Sequence, residues 1–402
     1  MIILGRAGQG FFGGALIPTA LTIVARRLPP HQRALGTAIF GGTIIFGPVA
    51  GPLLGGWITD EYGWRNIFLI NLPVGGALVA MIALGLPRGR IAWSELAQAD
   101  ILGVVGMSLG LGCLTTLLEQ GQAEDWFTSR LICQLLILSL AGFALMAIGQ
   151  QRSRSPVVDL TILRNRQFAA VFGISFILGA ALYGTAFMIP QFLSLVAGDN
   201  ALQSGYVVFI AGIPALLLIP LIPLLLRRID LRLGTAIGLA FMGVTCWLDS
   251  SLSSASGDAA FTHSQLARGV GQVMAMTFLN QAAMNAVPVA LSADASGLFN
   301  AARNLGGSFG LALLSTFHEN RAEIHGWTIS SGLSDSATFA RRVGEVVDPT
   351  QTIATTQHMI EREALVMAFN DQFLMLAVVI AAIVPLVMYM AVEGRPTHAL
   401  VH

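Results

Sequence analysis

Apolar stretches long enough to cross a lipid bilayer recur eleven times along the 402-residue chain. A helix needs about 17 to 25 mostly apolar residues to span the hydrocarbon core. Hydrophobic residues make up 54% of the chain and charged residues only 11%, which is far too apolar for a soluble domain of this size. The pattern predicts an all-α polytopic membrane protein. The windows lie near residues 2–25, 36–58, 66–86, 101–119, 131–149, 168–195, 205–226, 233–250, 265–288, 297–317 and 366–392.

The charge balance and the cysteines exclude other classes of protein. Basic and acidic residues number 22 each, so net charge indicates no nucleic-acid partner. Cys113, Cys133 and Cys246 lie in apolar windows without metal-ligand spacing, and we expect no metal. We also expect no removable signal peptide, because no short apolar stretch with a cleavage site precedes the first window.

The arginines predict the orientation of the spans. One set of alternating short loops and the C-terminal tail is rich in arginine, and this set is predicted to be cytoplasmic. The other set has two arginines in short loops and four in one long loop, where the rule carries less weight. The first set is Arg26, Arg27, Arg33, Arg88, Arg90, Arg152, Arg154, Arg164, Arg166, Arg227, Arg228, Arg232 and Arg395; the second is Arg65, Arg130, Arg321, Arg341, Arg342 and Arg362.

Glycines recur every fourth residue in the second window. On a helix Gly47, Gly51 and Gly55 lie on one face, where missing side chains let another helix approach closely in lipid. Pro48 and Pro52 each remove a backbone donor, which a packed membrane helix tolerates. The stretch predicts a kinked, tightly packed spanning helix, although glycine and proline also kink or pack unrelated membrane helices.

The chain contains an internal repeat. Residues 4–10, with Arg6 and Gln9, are echoed by residues 266–272, with Arg268, and the next window in each case carries Phe-Gly. Similar halves predict a duplicated bundle. Because the copies lie eight windows apart, where two joined six-helix halves would place them six apart, two helices are inserted between the halves.

Four motifs together resemble the major facilitator superfamily, in its fourteen-helix drug:proton antiporter branch of multidrug resistance protein B and quaternary ammonium compound exporters. Arg6 followed by Gln9-Gly10 resembles the motif of the family's fourth helix. Residues 63–75 and 297–308 are similar to the signatures entering its sixth and thirteenth helices. The remaining motif resembles the gate of its fifth helix and comprises Gly47, Gly51, Pro52, Gly55 and Gly56.

The resemblance implies the major facilitator fold, with eleven transmembrane helices present of an expected fourteen and the first three absent. Residues 1–87 would be the remainder of the N-terminal bundle, equivalent to family helices four to six. Residues 88–155 would hold the two inserted helices. Residues 156–402 would form a C-terminal six-helix bundle with a long external loop at 318–363. The family's charged motif between its second and third helices has no counterpart here.

The resemblance also implies a function: proton-coupled efflux of amphipathic drugs or toxic compounds by alternating access. The expected location is the bacterial inner membrane, with many spans and a cytoplasmic C-terminus. Expected partners are the lipid bilayer, small amphipathic substrates and protons, with no cofactor. Loops like that at 318–363 occur in exporters that work with a periplasmic adaptor protein, which is therefore a candidate partner; a disordered loop is the simpler interpretation.

Three alternatives stay open. The chain could be a truncated fragment without transport of its own, or a uniporter or channel-like pore, which the repeat and the Gly-Pro hinge disfavour. A membrane-embedded lipid-modifying enzyme would need clustered Asp, Glu or His. We expect no enzyme, because every histidine falls in a predicted loop or tail. They are His31, His263, His318, His325, His358, His398 and His402.

Two arginines are candidates for proton handling. Arg6 and Arg268 lie near the ends of their windows, where a charge is costly unless it reaches the interface or faces a polar cavity. The resemblance implies that Arg6 lines the central cavity, and Gln9 lies one turn onward on the same face. Interface snorkelling is the alternative for both, and Arg268 could lie in a loop.

Polar residues within windows are candidates for the substrate cavity. Asn280, Gln281 and Asn285 fall in the ninth window, and Tyr183 and Gln191 in the sixth. They could hydrogen-bond a passing substrate or join helices to each other.

No carboxylate falls in the middle of a window. Glu119, Asp249 and Asp371 lie near predicted outer ends and could be solvated helix termini. Glu119 is the best local candidate for a proton carrier.

Asp294, Arg303 and Asn304 lie around the loop before the tenth window. They could form a cytoplasmic charge lock in one state of the cycle, or a plain solvated loop.

Overall fold

The computed structural model describes residues 2–29, 47, 50–85, 100–153, 157–288, 291–334 and 349–390, and within them all regular structure is helical. Each of the eleven predicted windows overlaps one helix, although residues 36–46 of the second window lie outside the described ranges. The helices are α1 Ile2–Arg27, α2 50–62, α3 Asn71–Gly85, α4 Ile101–Gln120, α5 Arg130–Arg152, α6 Arg166–Phe192, α7 in three pieces (Ala201–Ile210, Gly212–Leu218 and Ile222–Arg228), α8 Leu231–Leu248, α9 Asp258–Asn285, α10 Ser292–Ser334 and α11 Pro349–Ile383.

Seven of these helices are long and apolar enough to cross a bilayer. They are α3 with its preceding turn, α4, α5, α6, α7, α8 and the apolar part of α11. The chain is therefore an all-α protein with candidate membrane spans along most of its length. The end of the bundle that carries the α4–α5, α6–α7 and α8–α9 turns is called the outer end, because the arginine pattern predicts it to be external.

Side-chain caps fix where several helices begin. Asp100 accepts a hydrogen bond from Gly103 N at 2.7 Å at the start of α4. Asn165 accepts one from Gln167 N at 2.9 Å at the start of α6. Asn200 and Gln203 form a reciprocal capping box that begins α7. Each cap satisfies backbone donors that the first helical turn leaves free. The local sequence therefore determines where these helices begin.

The predicted loop at 318–363 is wrong over most of its length. α10 continues to Ser334 and α11 starts at Pro349, so residues 318–334 and 349–363 are helical. Residues 335–348 lie outside the described ranges. The helical parts carry good helix formers such as Glu319, Arg321 and Glu323, whose charge ends the apolar window without ending the helix.

The helices α6 to α11 pack around a common core. α10 lies against α6 and α11, α8 lies against α9 and α11, and α7 lies against α9. Phe192 of α6 meets the rings of Phe261 in α9 and Phe369 in α11 edge-on, with centroids 5.5 and 5.4 Å apart. These rings are fully buried, so packing of large apolar side chains holds the bundle together.

Glycines allow the closest helix contacts. A β-carbon at Gly179 of α6 would overlap the carbonyl oxygen of Arg303 in α10, and one at Gly306 of α10 would overlap that of Phe176 in α6. The two backbones therefore touch directly along an α6–α10 seam, as small residues permit in membrane helices.

The helices α4 and α5 form a hairpin that leans on α10. Their backbones meet at Gly106, Gly110 and Gly142, where side chains would not fit. Ser139 donates a hydrogen bond to the carbonyl oxygen of Gly110 at 2.9 Å. Because α4 also packs on α10, the hairpin lies beside the common core that the six helices α6 to α11 form.

In the described part of the chain, the close contacts of α2 lie one position away from the predicted glycine row. Among the described residues, no atom lies within 4 Å of a β-carbon built at Gly47, Gly51 or Gly55. Two residues of the predicted gate motif make close contacts with α7: Gly56 lies against the backbone of Ala201 and Leu202, and the carbonyl oxygen of Pro52 lies against Gly205. The approaching helix, α7, crosses α2 at the row of residues next to the predicted glycine row, and this is why Gly56 and not Gly55 is in contact.

Candidate transport site

A polar contact joins α6 and α10 within the predicted spans. The Tyr183 hydroxyl donates a hydrogen bond to Asn304 Oδ1 at 3.2 Å. The Tyr183 ring lies against Gly307, where a side chain would displace it. The structure therefore brings together two residues that the sequence assigned to different roles, a cavity and a cytoplasmic lock.

Arg303 lies on α10 and not in the loop before it. It is eleven residues beyond the first residue of the helix, about 16 Å along the axis. Its side chain is half-buried, and its Nη1 atom lies 3.6 Å from Met276 Sδ on α9. Asp294 is in the first turn of α10, about 13 Å from Arg303 along the helix. Asp294 and Arg303 are too far apart in this conformation to form the predicted lock.

The remaining predicted cavity residues are exposed or only partly covered by the described helices. Asn280, Gln281 and Asn285 are exposed near the end of α9. Gln281 Nε2 donates a hydrogen bond to Asn285 Oδ1 at 3.0 Å. Asn280 is one turn along α9 from Met276, so it shares the helix face that meets Arg303. Gln191 is half-buried at the other end of α6.

Arg6 and Gln9 share a helix face, as their spacing predicts. Arg6 Nη1 donates a hydrogen bond to Gln9 Oε1 at 2.9 Å. The guanidinium also lies over the ring of Phe68, with its carbon 4.8 Å from the ring centroid. Both polar side chains are exposed, so their contacts are a hydrogen bond and a cation–π interaction at the outer end.

Arg268 lies within α9, as the ninth window predicts, so the alternative that it lies in a loop is wrong. α9 begins ten residues earlier, at Asp258. Arg268 is buried and forms an ion pair with Asp249, which is also buried. The solvated-terminus interpretation of Asp249 is therefore wrong as well. Arg268 Nη1 donates to Gln265 Oε1 at 3.1 Å, and its Nε atom is buried with no hydrogen-bond acceptor among the described residues.

Asp371 is also not a solvated terminus, because α11 begins well before it. Its Oδ2 atom accepts from Arg321 Nε at 2.5 Å and lies 2.7 Å from His325 Nε2, both on α10. His318 Nδ1 lies 3.0 Å from Gln372 Oε1. The histidines of the described ranges lie on helices and not in loops, namely His263, His318, His325 and His358; His31, His398 and His402 lie outside those ranges.

Glu119 is exposed at the end of α4. Its Oε1 atom accepts a hydrogen bond from Ser308 of α10 at 3.2 Å. Two further bonds tie the α4–α5 turn to α10. Trp126 Nε1 donates to Thr316 Oγ1 at 3.2 Å, and Gln122 Nε2 donates to Glu319 Oε2 at 2.6 Å.

Sequence reasoning missed the pairing of the buried charges. Asp249 and Arg268 are nineteen residues apart on antiparallel helices joined by a short turn. If Asp249 and Arg268 are placed on facing helices, they lie at the same distance from the turn that joins α8 and α9. Their opposite charges and nineteen-residue spacing are a signal that the sequence contains. Asp371 and Arg321 are fifty residues apart, and the predicted loop concealed that both lie on helices.

Apolar helices joined along glycine-lined seams, with paired charges in their core and a polar contact between α6 and α10, define a multi-pass integral membrane protein. The sequence model of the family described as Major Facilitator Superfamily matches residues 1–311. The chain belongs to this superfamily, which is a family of transporters and not an enzyme class.

Several curated proteins are similar over nearly the whole chain. "Colistin resistance protein EmrB" of Acinetobacter baumannii is 30% identical and covers 94% of this chain and 76% of its own length. "Multidrug export protein EmrB" of Escherichia coli strain K12 is 28% identical, over 97% of this chain and 77% of its own. "Fatty acid resistance protein FarB" of Neisseria gonorrhoeae is 29% identical, over 96% and 77%.

Solved transporters share the fold. A peptide transporter POT in complex with sulfate aligns with a TM-score of 0.51 and 20% identity, over 94% of this chain and 73% of that structure. A bacterial homologue of the lysosomal transporter Spinster, in an inward-facing conformation, aligns with a TM-score of 0.50 and 12% identity. These likenesses agree with the major facilitator fold. The apolar helices and the bacterial relatives together indicate a multi-pass protein of the bacterial inner membrane.

Proposed function

We propose that the chain is a secondary active transporter that exports amphipathic compounds in exchange for protons, by alternating access. The observation that carries the proposal is the hydrogen bond between Tyr183 and Asn304, with Arg303 adjacent to Asn304 on α10, on apolar helices of a superfamily transporter. Polar and charged side chains inside a membrane are expensive, so they mark substrate or ion pathways more often than lipid-facing surface. The relatives named as drug-export or resistance proteins support the same conclusion.

The proposal assigns roles to the residues that the sequence singled out. Arg6 and Gln9 would handle protons at the outer end, with Glu119 as the local carboxylate. Tyr183, Asn304 and Asn280 would line the substrate path. Arg268 is better suited to a fixed structural role, because Asp249 already neutralises it.

An efflux assay tests the function. Cells that lack their own multidrug pumps would express the full chain and be loaded with an ethidium-type dye, and dye loss would be followed with and without a protonophore. We expect proton-dependent loss that Arg6→Ala abolishes while membrane insertion is unchanged. Absence of any efflux, with the wild-type chain inserted, would favour the alternative of a fragment without transport activity.

We further propose the three-part division at residues 1–87, 88–155 and 156–402, and a cytoplasmic C-terminus. The arginine pattern supports the orientation. Attachment of a reporter active only in the cytoplasm after residue 402 tests it, and an active reporter is expected.

The extensions of α10 and α11 are the proposed contact for a periplasmic adaptor. α10 runs seventeen residues beyond the predicted span, about 25 Å, which carries it out of the membrane. Trp327 on this extension is 73% exposed. A photo-crosslinker in place of Trp327 should capture an adaptor co-expressed with the chain, and a crosslinker at Phe127 in the α4–α5 turn should not.

A further inference from the structure

The charged side chains inside the described spans differ in how they are neutralised. Arg268 pairs with Asp249, and Asp371 pairs with Arg321 and His325. Arg303 differs from these, because in the described part of the chain no carboxylate lies within ion-pair distance of it. Its hydrogen-bond acceptor is the thioether of Met276, which is a weak acceptor.

An arginine in this setting is a strong anion-binding group. Its guanidinium remains charged at any physiological pH and presents a planar set of donors that matches a carboxylate or phosphate in a two-point contact. Removing such a charge from water without a partner is costly, and a bound anion would offset that cost. The described part of the chain supplies no anion to Arg303. An anionic ligand would therefore fill this role.

The neighbours of Arg303 complete a binding surface of suitable chemistry. Asn304 follows it on α10 and holds the Tyr183 hydroxyl, and Asn280 lies one turn from Met276 on the facing helix. The amide groups of Asn304 and Asn280 supply further hydrogen-bond donors on the same two helices. The Met276 side chain and the Tyr183 ring supply apolar surface for the uncharged part of a ligand. A carboxylate that could hold a cation is not among these neighbours.

We propose that Arg303 binds the anionic head of the transported compound, so that this exporter takes amphipathic anions such as medium-chain carboxylates in preference to quaternary ammonium cations. The inference rests on the proposed function and names its substrate class. Tyr183, Asn304 and Asn280 orient the head group beside the guanidinium, and Met276 contacts the start of the apolar tail. A cation at the same place is repelled by Arg303.

The test uses two probes of equal tail length and opposite charge, decanoate and decyltrimethylammonium. Binding of each to the purified full chain would be measured by equilibrium dialysis, and efflux of each would be measured in cells. We expect the wild-type chain to bind decanoate more tightly. Arg303→Gln should weaken decanoate binding about 10- to 100-fold, the range for loss of charge-assisted hydrogen bonds, without weakening the cation. Arg303→Lys should restore part of the binding.

The matched control is Arg65→Gln, because Arg65 is exposed in the α2–α3 turn and stacks on Trp64 away from this surface. It should leave both probes unaffected. If Arg303→Gln fails to fold, the wild-type preference between the two probes decides the question without any variant. Tighter binding of decyltrimethylammonium than of decanoate, or equal decanoate binding by wild type and a folded Arg303→Gln, would overturn the inference.

The two proposals fail in different ways. Absence of efflux of both probes by the wild-type chain would contradict the proposed function, while the dialysis experiment would still report the charge preference of the surface. Efflux of the cation together with no binding of decanoate would support export and overturn the assignment of Arg303.

Discussion

Asp199 and Asp258 bring two carboxyl groups together at the outer end of the bundle, between the α6–α7 turn and the start of α9. The Asp199 Oδ2 atom is buried, and no donor among the described residues lies within hydrogen-bond distance of that one oxygen. Arg362 lies nearby but donates to the carbonyl oxygens of Val196 and Ser254, at 2.7 and 2.9 Å. Burial, and then the hydrogen bond to and repulsion from Asp258, raise the pKa of Asp199 to about 6. Protonation of Asp199 therefore removes the charge repulsion between the two carboxyl groups.

This pair predicts a pH dependence of stability. Because the pKa of Asp199 is higher in the folded than in the unfolded chain, the folded state binds more protons between about pH 4 and pH 6. The stabilising contribution is complete below the unfolded pKa and is lost as the pH rises through about 6. We expect the melting temperature of the purified protein to fall over this interval, and Asp199→Asn to flatten the change.

The matched control for that measurement is Asp125→Asn, in the exposed α4–α5 turn. It should keep the wild-type profile. A wild-type profile that rises between pH 4 and 6, or one that Asp199→Asn leaves unchanged, would show that folding does not raise the pKa of Asp199.

Asp249 and Arg268 predict a large effect on stability. Their side chains are only 2% and 4% exposed, so removing one partner leaves a buried charge without compensation. Asp249→Asn and Arg268→Gln should each lower the free energy of unfolding by about 3–5 kcal/mol. The double variant Asp249→Leu with Arg268→Met should recover most of this loss, because an apolar pair of similar size carries no desolvation cost.

Thermal and denaturant unfolding in detergent would measure both effects. Arg321→Gln is the control, since its pair with Asp371 is about one-third exposed and should contribute no more than about 1 kcal/mol. A double variant less stable than both single variants would argue that the pair is needed for more than mutual neutralisation.

At the scale of helices, hydropathy located each element but not its length or its contacts. Each of the eleven windows overlaps a helix, and seven of the described helices are long and apolar enough to cross a bilayer, because an apolar run is a local property of the sequence. The ends of α10 and α11 were missed because charged residues such as Glu319 and Arg321 end an apolar window while continuing a helix. The contacts of single glycines were missed because they depend on where another helix crosses, which no local pattern records.

The α6–α10 seam predicts opposite outcomes for two glycines of the same helix. Gly306 lies against the backbone of Phe176, so Gly306→Ala would force the two helices apart and should abolish folding or expression. Gly297→Ala meets no atom within 4 Å and should be neutral or stabilise by up to about 1 kcal/mol, because alanine favours helix. Size-exclusion profiles and melting temperatures of the two variants would compare them, and equal behaviour would show that α6 and α10 are not in direct backbone contact.

At the scale of the whole molecule, the sequence predicts two related halves, and this division stays a prediction. The repeat placed Arg6 and Arg268 in equivalent positions, but their environments differ. Arg6 is exposed with Gln9 and Phe68, whereas Arg268 is neutralised by Asp249 in the core. Sequence similarity between repeats predicted position and not environment, because environment depends on partners outside the repeated segment. The division of the chain into three regions stays a prediction.

The contact between α2 and α7 joins helices assigned to opposite halves, so it should affect transport more than stability. Gly56 lies against the backbone of Ala201 and Leu202, and Asp60 accepts a hydrogen bond from Leu202 N at 2.9 Å beside it. A methyl group at position 56 would hold α2 away from the start of α7 and break this hydrogen bond. Alternating access requires such contacts between halves to close and open in turn.

We therefore expect Gly56→Ala to reduce dye efflux about tenfold or more while the protein still inserts, since one methyl group is enough to block a backbone contact. Gly55 is the residue before Gly56 on the same helix, and a β-carbon there meets no described atom within 4 Å. The Gly55→Ala variant should therefore export dye like the wild type. Efflux rates normalised to the amount of inserted protein measure both. If Gly55→Ala and not Gly56→Ala stops export, the glycine row predicted from the sequence is the functional face, and the α2–α7 contact seen here is not the one that limits the cycle.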